Sequence, residues 1–372
     1  MKLSIPKKDL LRALERTHSV ADRKSSMPIL SNVLLAADGP KTVRLAATDL
    51  YLGVTTNVAA TIESGGMVAV SARTLFEIVR SLPEGEVSLE LDDNHALHLR
   101  VGKVHFRVPG APGSDFPTLP SPGDAKFADL AAEPLGRLIA MTHYSMSNDE
   151  TRPHLAGALL EGEGKVVRMV TTDGHRLSKA EFKRSGSSLF NFSMLVPAKG
   201  IGELRRLVES RGEGSKDEAI GIATAGGNAF FRRDDVLLSV KLADEQFPPY
   251  AKVIPQRTER RVVVNRALLI DAVKRISLMA SDRSGALRFA VEPGVLRITS
   301  ESPEVGEGSE ELDVDFAGEG VQAGFNARYL LDVLGALTDD EVAFELGGAL
   351  DPGVVKPVGK TEFIGVIMPM RI

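Results

Sequence analysis

Three stretches of this chain, residues 71–82, 197–208 and 326–337, align without a gap at offsets of 126 and 129 residues. Ala72, Ala198 and Ala327 coincide, as do the cations Arg73, Lys199 and Arg328 and the acids Glu77, Glu203 and Asp332. Apolar residues recur at helical spacing: Leu75, Ile78 and Leu82 match Ile201, Leu204 and Val208, then Leu330, Val333 and Leu337. Ser71 and Asn326 suit an N-cap, and Pro197 suits a helix start. A period this long is no solenoid unit; it marks duplicated domains. Whatever fold the first copy adopts, the other two must adopt again.

A second landmark keeps the same spacing. Val43-Arg44-Leu45 running into Thr48-Asp49 matches Val167-Arg168-Met169 running into Thr172-Asp173, with a weaker copy at Leu296-Arg297-Ile298. These β-rich runs predict strands that end in a turn. Amphipathic patterns predict helices over 7–17, 133–146 and 266–280, one ahead of each repeated helix (71–82, 197–211 and 326–337). Period-2 runs over 96–108, 230–242 and 362–368 predict antiparallel strands with one buried face. Proline punctuates the boundaries: Phe116-Pro117 and Pro120, then Phe247-Pro248-Pro249 and Pro255. The reading is α+β, with three tandem domains over 1–120, 128–254 and 255–372, each with two helices and antiparallel sheets.

Cysteine is absent, which excludes disulfides, thiolate metal sites and Cys nucleophiles. Residues 1–9 lack the apolar stretch of a signal peptide, and no apolar run approaches the ~20 residues of a membrane span, so a cytoplasmic location is expected. The net charge of −5 argues at first against nucleic acid. Its distribution argues otherwise. The six expected helices carry +7, which leaves −12 for everything else. Pairs such as Arg73 with Glu77 and Lys199 with Glu203 support their own helices. Arg80, Arg205, Arg206, Arg211, Lys274 and Arg275 exceed the acids within their own helices. Such a cationic surface meets phosphates without reading bases.

No catalytic constellation emerges. The stretch from Gly353 to Gly359-Lys360-Thr361 has five residues between its glycines, where a phosphate loop needs four, and a strand pattern follows it; it reads as a hairpin loop. Asp173 and His175 offer a carboxylate beside an imidazole. The same Thr-Asp pair recurs at Thr48-Asp49 without a histidine, and the seven histidines show no ligand spacing. Asp173 therefore reads as a turn residue, and Asp92-Asp93 as a solvated loop. The competing readings are an enzyme centred on Asp173 and His175, and a multidomain scaffold that binds no DNA.

Several segments carry a family resemblance: Met27-Pro28-Ile29-Leu30, Thr48-Asp49-Leu50, Ser71-Ala72-Arg73, Asp115-Phe116-Pro117, Thr172-Asp173-Gly174-His175-Arg176-Leu177, Phe325-Asn326, and the terminal Met368-Pro369-Met370-Arg371-Ile372. From end to end the chain resembles the bacterial β sliding clamps, the processivity subunits of DNA polymerase III. The resemblance implies a non-catalytic protein with no cofactor or metal. Two copies would join head to tail into a ring around double-stranded DNA of any sequence. The implied partners are a clamp loader, the polymerase III alpha subunit and other proteins with a clamp-binding motif, with no membrane. Implied DNA contacts are Lys24, Arg73, Lys199, Arg206 and Lys252, and Arg80 is added to them as a cation on the same helix as Arg73. The implied peptide pocket uses Arg152, Leu155, Thr172, Gly174, His175, Arg176, Leu177, Pro248 and Val253. It also uses Asn326, Tyr329, Val366, Met368, Pro369, Met370 and Arg371. The implied subunit contacts are Ile78, Leu82, Phe106 and Leu278. Pro153-His154 stand where family members often carry aromatic residues.

Overall fold

The structure, a computed structural model, describes residues 1–22, 24–149, 151–184, 190–210, 219–256, 259–280 and 285–371; Arg211 and Ile372 lie outside the described residues. The first repeat holds β1 (Lys2–Pro6), α1 (Lys7–Thr17), β2 (Asn32–Ala37), β3 (Thr42–Thr48), β4 (Leu52–Ala59), β5 (Thr61–Ser64), β6 (Gly66–Ser71), α2 (Ala72–Ser81), β7 (Glu86–Leu91), β8 (Leu97–Val101), β9 (Val104–Val108) and β10 (Gly110–Pro112). The second holds β11 (Ala128–Ala131), α3 (Ala132–Thr142), β12 (Gly157–Gly164), β13 (Val166–Thr172), β14 (Arg176–Lys183), β15 (Phe190–Pro197), α4 (Ala198–Glu209), β16 (Ala219–Ala225), β17 (Asn228–Arg233) and β18 (Val236–Lys241). The third holds β19 (Arg260–Asn265), α5 (Arg266–Ser277), β20 (Ala286–Glu292), β21 (Val295–Ser302), β22 (Gly306–Asp313), β23 (Val321–Asn326), α6 (Ala327–Ala336), β24 (Glu341–Leu346), β25 (Gly353–Pro357) and β26 (Phe363–Ile367).

The helices stand where the apolar spacing put them, but the second segment is shorter than expected. α3 stops at Thr142, and a 3-10 turn over His143–Ser145 takes the rest. The N-caps act as read: the side chain of Ser71 accepts from the Thr74 amide (3.3 Å), and Asn326 does the same for Tyr329 (3.2 Å). Each cap is worth about 1 kcal/mol. In the first repeat α1 and α2 bury Leu10, Leu14, Leu75 and Val79 against the inward faces of the strands. Each such side chain contributes roughly 1.5–3 kcal/mol.

The chain forms two compact units. Residues 1–132 and 202–242 make one, and residues 133–201 and 243–372 the other. The first unit contains a five-stranded sheet, β5-β1-β7-β8-β9, and a nine-stranded sheet, β10-β6-β2-β3-β4-β18-β17-β16-β11. The second contains an eight-stranded sheet, β15-β12-β13-β14-β26-β25-β24-β19, and a four-stranded sheet, β22-β21-β20-β23. Neighbouring repeats thus share sheets. β4 of the first pairs with β18 of the second, and β14 of the second with β26 of the third, both antiparallel. The loop from Gly353 to Thr361 belongs to the antiparallel β25–β26 hairpin, as read from its glycine spacing.

The two shared ladders carry different residues at one equivalent place. Gly53 faces Ser239 in the first, and Leu177 faces Val366 in the second. A Cβ on Gly53 would lie 2.6 Å from Ser239 Oγ and 2.9 Å from Leu119 Cδ2. Gly53→Leu, which supplies the residue of the other copy, is expected to lower stability by about 1–3 kcal/mol through overpacking, read by denaturant unfolding.

Asp92 is more than a solvated loop residue. Its Oδ1 accepts from the amides of Ala96 (2.8 Å) and Asn94 (2.9 Å), and its Oδ2 meets His98 and Arg107 at 3.2 Å. The Ala96 amide first, then His98, Arg107 and Asn94, hold its carboxyl at about 2, below the ordinary 3.8. A depressed carboxyl stabilises the fold above its unfolded value and loses that contribution as pH falls. Asp92→Asn is therefore expected to reduce the loss of stability between pH 4 and 2, measured by acid titration of the unfolding midpoint.

Candidate functional site

The Thr-Asp turn of the second repeat is built from its own side chains. Asp173 Oδ1 accepts from the amides of His175 (2.9 Å) and Arg176 (3.0 Å). Thr172 Oγ1 donates to the Arg176 carbonyl (2.6 Å) and accepts from the Gly174 amide (3.1 Å). Gly174 sits at φ 92°, where a side chain is strained. The first repeat copies the turn bond for bond: Asp49 Oδ1 accepts from Tyr51 and Leu52, and Thr48 Oγ1 bonds Leu52 and Leu50. The reading of Asp173 as a turn residue therefore holds.

Arg176 leaves this turn as a hub. Its Nε donates to Asp173 Oδ2 (3.0 Å), Nη2 to the Tyr144 carbonyl (2.6 Å) and Nη1 to Asp332 Oδ2 on α6 (2.5 Å). The guanidinium also lies 4.5 Å from the Tyr329 ring centroid. Its side chain is only 10% exposed, so these bonds fix the second repeat against the third in a nearly dry setting. Beneath it, Tyr144 Oη accepts from Ser178 Oγ (2.7 Å), and burial pushes the phenol up, which keeps it neutral.

A cavity of about 180 Å³ opens beside this hub. Leu177 of β14 and Val366 of β26 lie in its floor, and Leu155, Thr172, Gly174 and Arg176 line it. Pro248, Val253 and Met368 complete the lining among the expected residues. His154 and Tyr250 also line it, and the pocket reading did not include them. Tyr250 sits in a proline-rich stretch read only as a boundary, and its hydroxyl donates to Glu161 Oε2 (2.9 Å). His154 follows the Pro153 already singled out by position.

The remaining expected pocket residues stand outside the lining. The Arg152 guanidinium approaches the Asp173 carbonyl at 3.5 Å, and His175 is exposed on the turn, its carbonyl accepting from the Met368 amide (2.9 Å). Asn326 is the α6 cap, Tyr329 lies under Arg176, and the Met370 amide donates to the Gly324 carbonyl (2.8 Å). Pro369 is half-buried beside it, and Arg371 is exposed.

The cations divide between the two units. In the first, Lys24 and Arg73 are exposed, Arg80 lies 5.4 Å from the Phe76 centroid, and Arg206 pairs with Glu203. In the second, Lys199 and Lys252 are exposed. The expected cation surplus is smaller than read. Arg205 bonds Glu209 (2.7 Å), and Arg275 takes Glu310 of β22 through two nitrogens (2.9 and 2.5 Å). Glu310 is 35 residues away in sequence, so helix spacing could not reveal it. Of the expected subunit contacts, Leu278 and Phe106 are 71% and 36% exposed, and Ile78 is half-buried. Leu82 is 3% exposed and packs inside the core of its own repeat. Among the described residues no three His, Asp or Glu side chains gather as a metal group, and no helix is long and apolar enough to cross a membrane.

Triplicated α+β domains that share sheets define a class, the multidomain DNA clamps. Models of the DNA polymerase III beta subunit match the chain over 1–120 (N-terminal domain), 129–249 (central domain) and 251–371 (C-terminal domain). The beta sliding clamps of Caulobacter vibrioides and Escherichia coli K12 are 35% and 32% identical to it, each over the whole of both chains. The crystal structure of the Pseudomonas aeruginosa subunit superposes with a TM-score of 0.93 at 31% identity, again over both whole chains. A further Pseudomonas aeruginosa clamp structure, bound to griselimycin, has a TM-score of 0.92 at 31% identity. The chain belongs to the DNA polymerase III beta subunit family, the beta sliding clamps, whose members are non-catalytic processivity factors.

Arg176→Met is expected to cost about 3 kcal/mol, because it strands Asp173 and Asp332. Arg176→Lys should recover little of it, since an ammonium cannot fill three fixed bonds. Denaturant unfolding reads both.

Proposed function

We propose that two copies of this chain close head to tail into a ring around duplex DNA and tether the replicative polymerase and other proteins to it. One observation carries the reading. Each shared ladder joins the third strand of one repeat's meander to the last strand of the next repeat: β4 to β18, then β14 to β26. The corresponding strands left over are β22 in the third repeat and β9 in the first, and each is a sheet edge. A third junction of the same kind needs a second copy. The contact is heterologous, and a heterologous contact that closes makes a ring. Phe106 on β9, with Ile78 and Leu278, is the proposed subunit contact, and Leu82 stays in the core of its own repeat.

The three domains are proposed at 1–120, 128–254 and 255–372. Lys24, Arg73, Arg80, Lys199, Arg206 and Lys252 are proposed to meet phosphates, which gives binding without sequence preference. The pocket beside Leu177, Val366 and Met368 is proposed to take the apolar residues of a short partner peptide, including those of the polymerase alpha subunit and the clamp loader. Its adaptable methionine and aliphatic lining supports that role. His175, Arg152, Asn326, Tyr329, Pro369, Met370 and Arg371 form its rim and supports. The work is proposed to take place in the cytoplasm.

The test loads the protein onto nicked circular DNA with a clamp loader and ATP, then linearises the circle. Retention on circles and loss from linear ends is expected, and equal loss from both overturns the reading. Phe106→Glu should yield monomers in sedimentation and abolish retention.

A further inference from the structure

In the first unit, α1, α4, β4 and β18 enclose a cavity of about 590 Å³, three times the volume of the peptide pocket. Small-molecule sites span roughly 300–1,000 Å³ and combine an apolar lining with a few placed polar groups. Here Leu11, Val54, Leu207, Val236 and Leu238 supply the apolar surface. Five cations, three acids and two serines line the rest. Lys7 is bound to Glu84 (2.9 Å), Arg16 to Asp235 (2.9 Å), and Arg206 to Glu203, which also accepts from Ser19 Oγ (3.2 Å). Arg12, half-buried on α1, has no hydrogen-bond or ion-pair partner among the described residues.

We propose that this cavity binds a small amphipathic anion, its carboxylate, sulfonate or phosphate on Arg12 and its apolar body on the five aliphatic side chains. A half-buried guanidinium with five donors and no bonded acceptor among the described residues is satisfied by an anion. β4 and β18 already pair with strands on both sides, so strand addition by a peptide is closed, and the peptide arm of the test below addresses side-chain docking. A duplex backbone would supply phosphates and leave the aliphatic surface uncovered. Because the lining comes from the first and second repeats, an occupant ties the two together.

The probe is 8-anilinonaphthalene-1-sulfonate, titrated by fluorescence into the full chain. Saturable binding of one molecule per chain is expected. Arg12→Gln should weaken it at least about tenfold, the worth of one charge-assisted bond, and Arg12→Lys should keep most of it. A clamp-binding peptide in excess should leave the signal unchanged. Unaltered binding by Arg12→Gln overturns the proposal, as does displacement by the peptide, which puts the probe in the second unit. Displacement by a short DNA duplex that persists in Arg206→Gln also overturns it and makes the cavity a phosphate seat. Thermal melting of Arg12→Gln at the wild-type temperature separates lost binding from lost fold.

Discussion

The antiparallel ladder between neighbouring repeats is the constraint on which the rest of this architecture depends. A strand edge leaves amides and carbonyls that must find partners. Here each repeat lends a strand edge to the next, so five residue pairs at β4–β18 and five at β14–β26 convert separate domains into continuous sheets. The cavity of about 180 Å³ is a product of that joint. Its floor pair, Leu177 and Val366, are register partners across it, and the Thr172–Arg176 turn stands at its end.

Duplication supplied two such joints, and they diverged. In the second, the large pair Leu177 and Val366 lies under an open cavity. In the first, Gly53 and Ser239 leave room that Leu119 fills from the linker. The Thr-Asp turn persists in both with the same bonds, yet Leu50 holds φ 76° where its copy is Gly174. The exposed Leu50 carries a strain of order 1 kcal/mol that the glycine copy avoids. One scaffold thus leaves the Leu177–Val366 pair open to a cavity at one joint and covers the Gly53–Ser239 pair with Leu119 at the other.

Much of this was legible in the sequence. Helix positions followed from apolar spacing, caps from Ser71 and Asn326, and the turn from a Thr-Asp pair seen twice. These features depend on residues within a few positions of each other. What escaped depends on distant partners. Arg176 reads as a pocket residue and does line the cavity, but its bond to Asp332, 156 positions away, makes it a support for that cavity as well. Arg275 reads as a surplus cation until β22 brings Glu310 to it. Leu82 reads as a contact residue, and only the packed first repeat shows it enclosed.

The interlacing of repeats and sheets has a kinetic side. The sequence contains three copies, but the chain condenses into two units, and the middle copy gives strands to both. The first unit lacks a third of its larger sheet until residues 219–241 have been made, and the second lacks β26 until almost the whole chain has emerged. Non-local pairings of this kind fold slowly, because loop closure is paid for before contacts reward it. During synthesis the first repeat therefore waits with β4 as an open edge for more than a hundred residues, the interval in which a nascent chain is most exposed to mispairing with a neighbour.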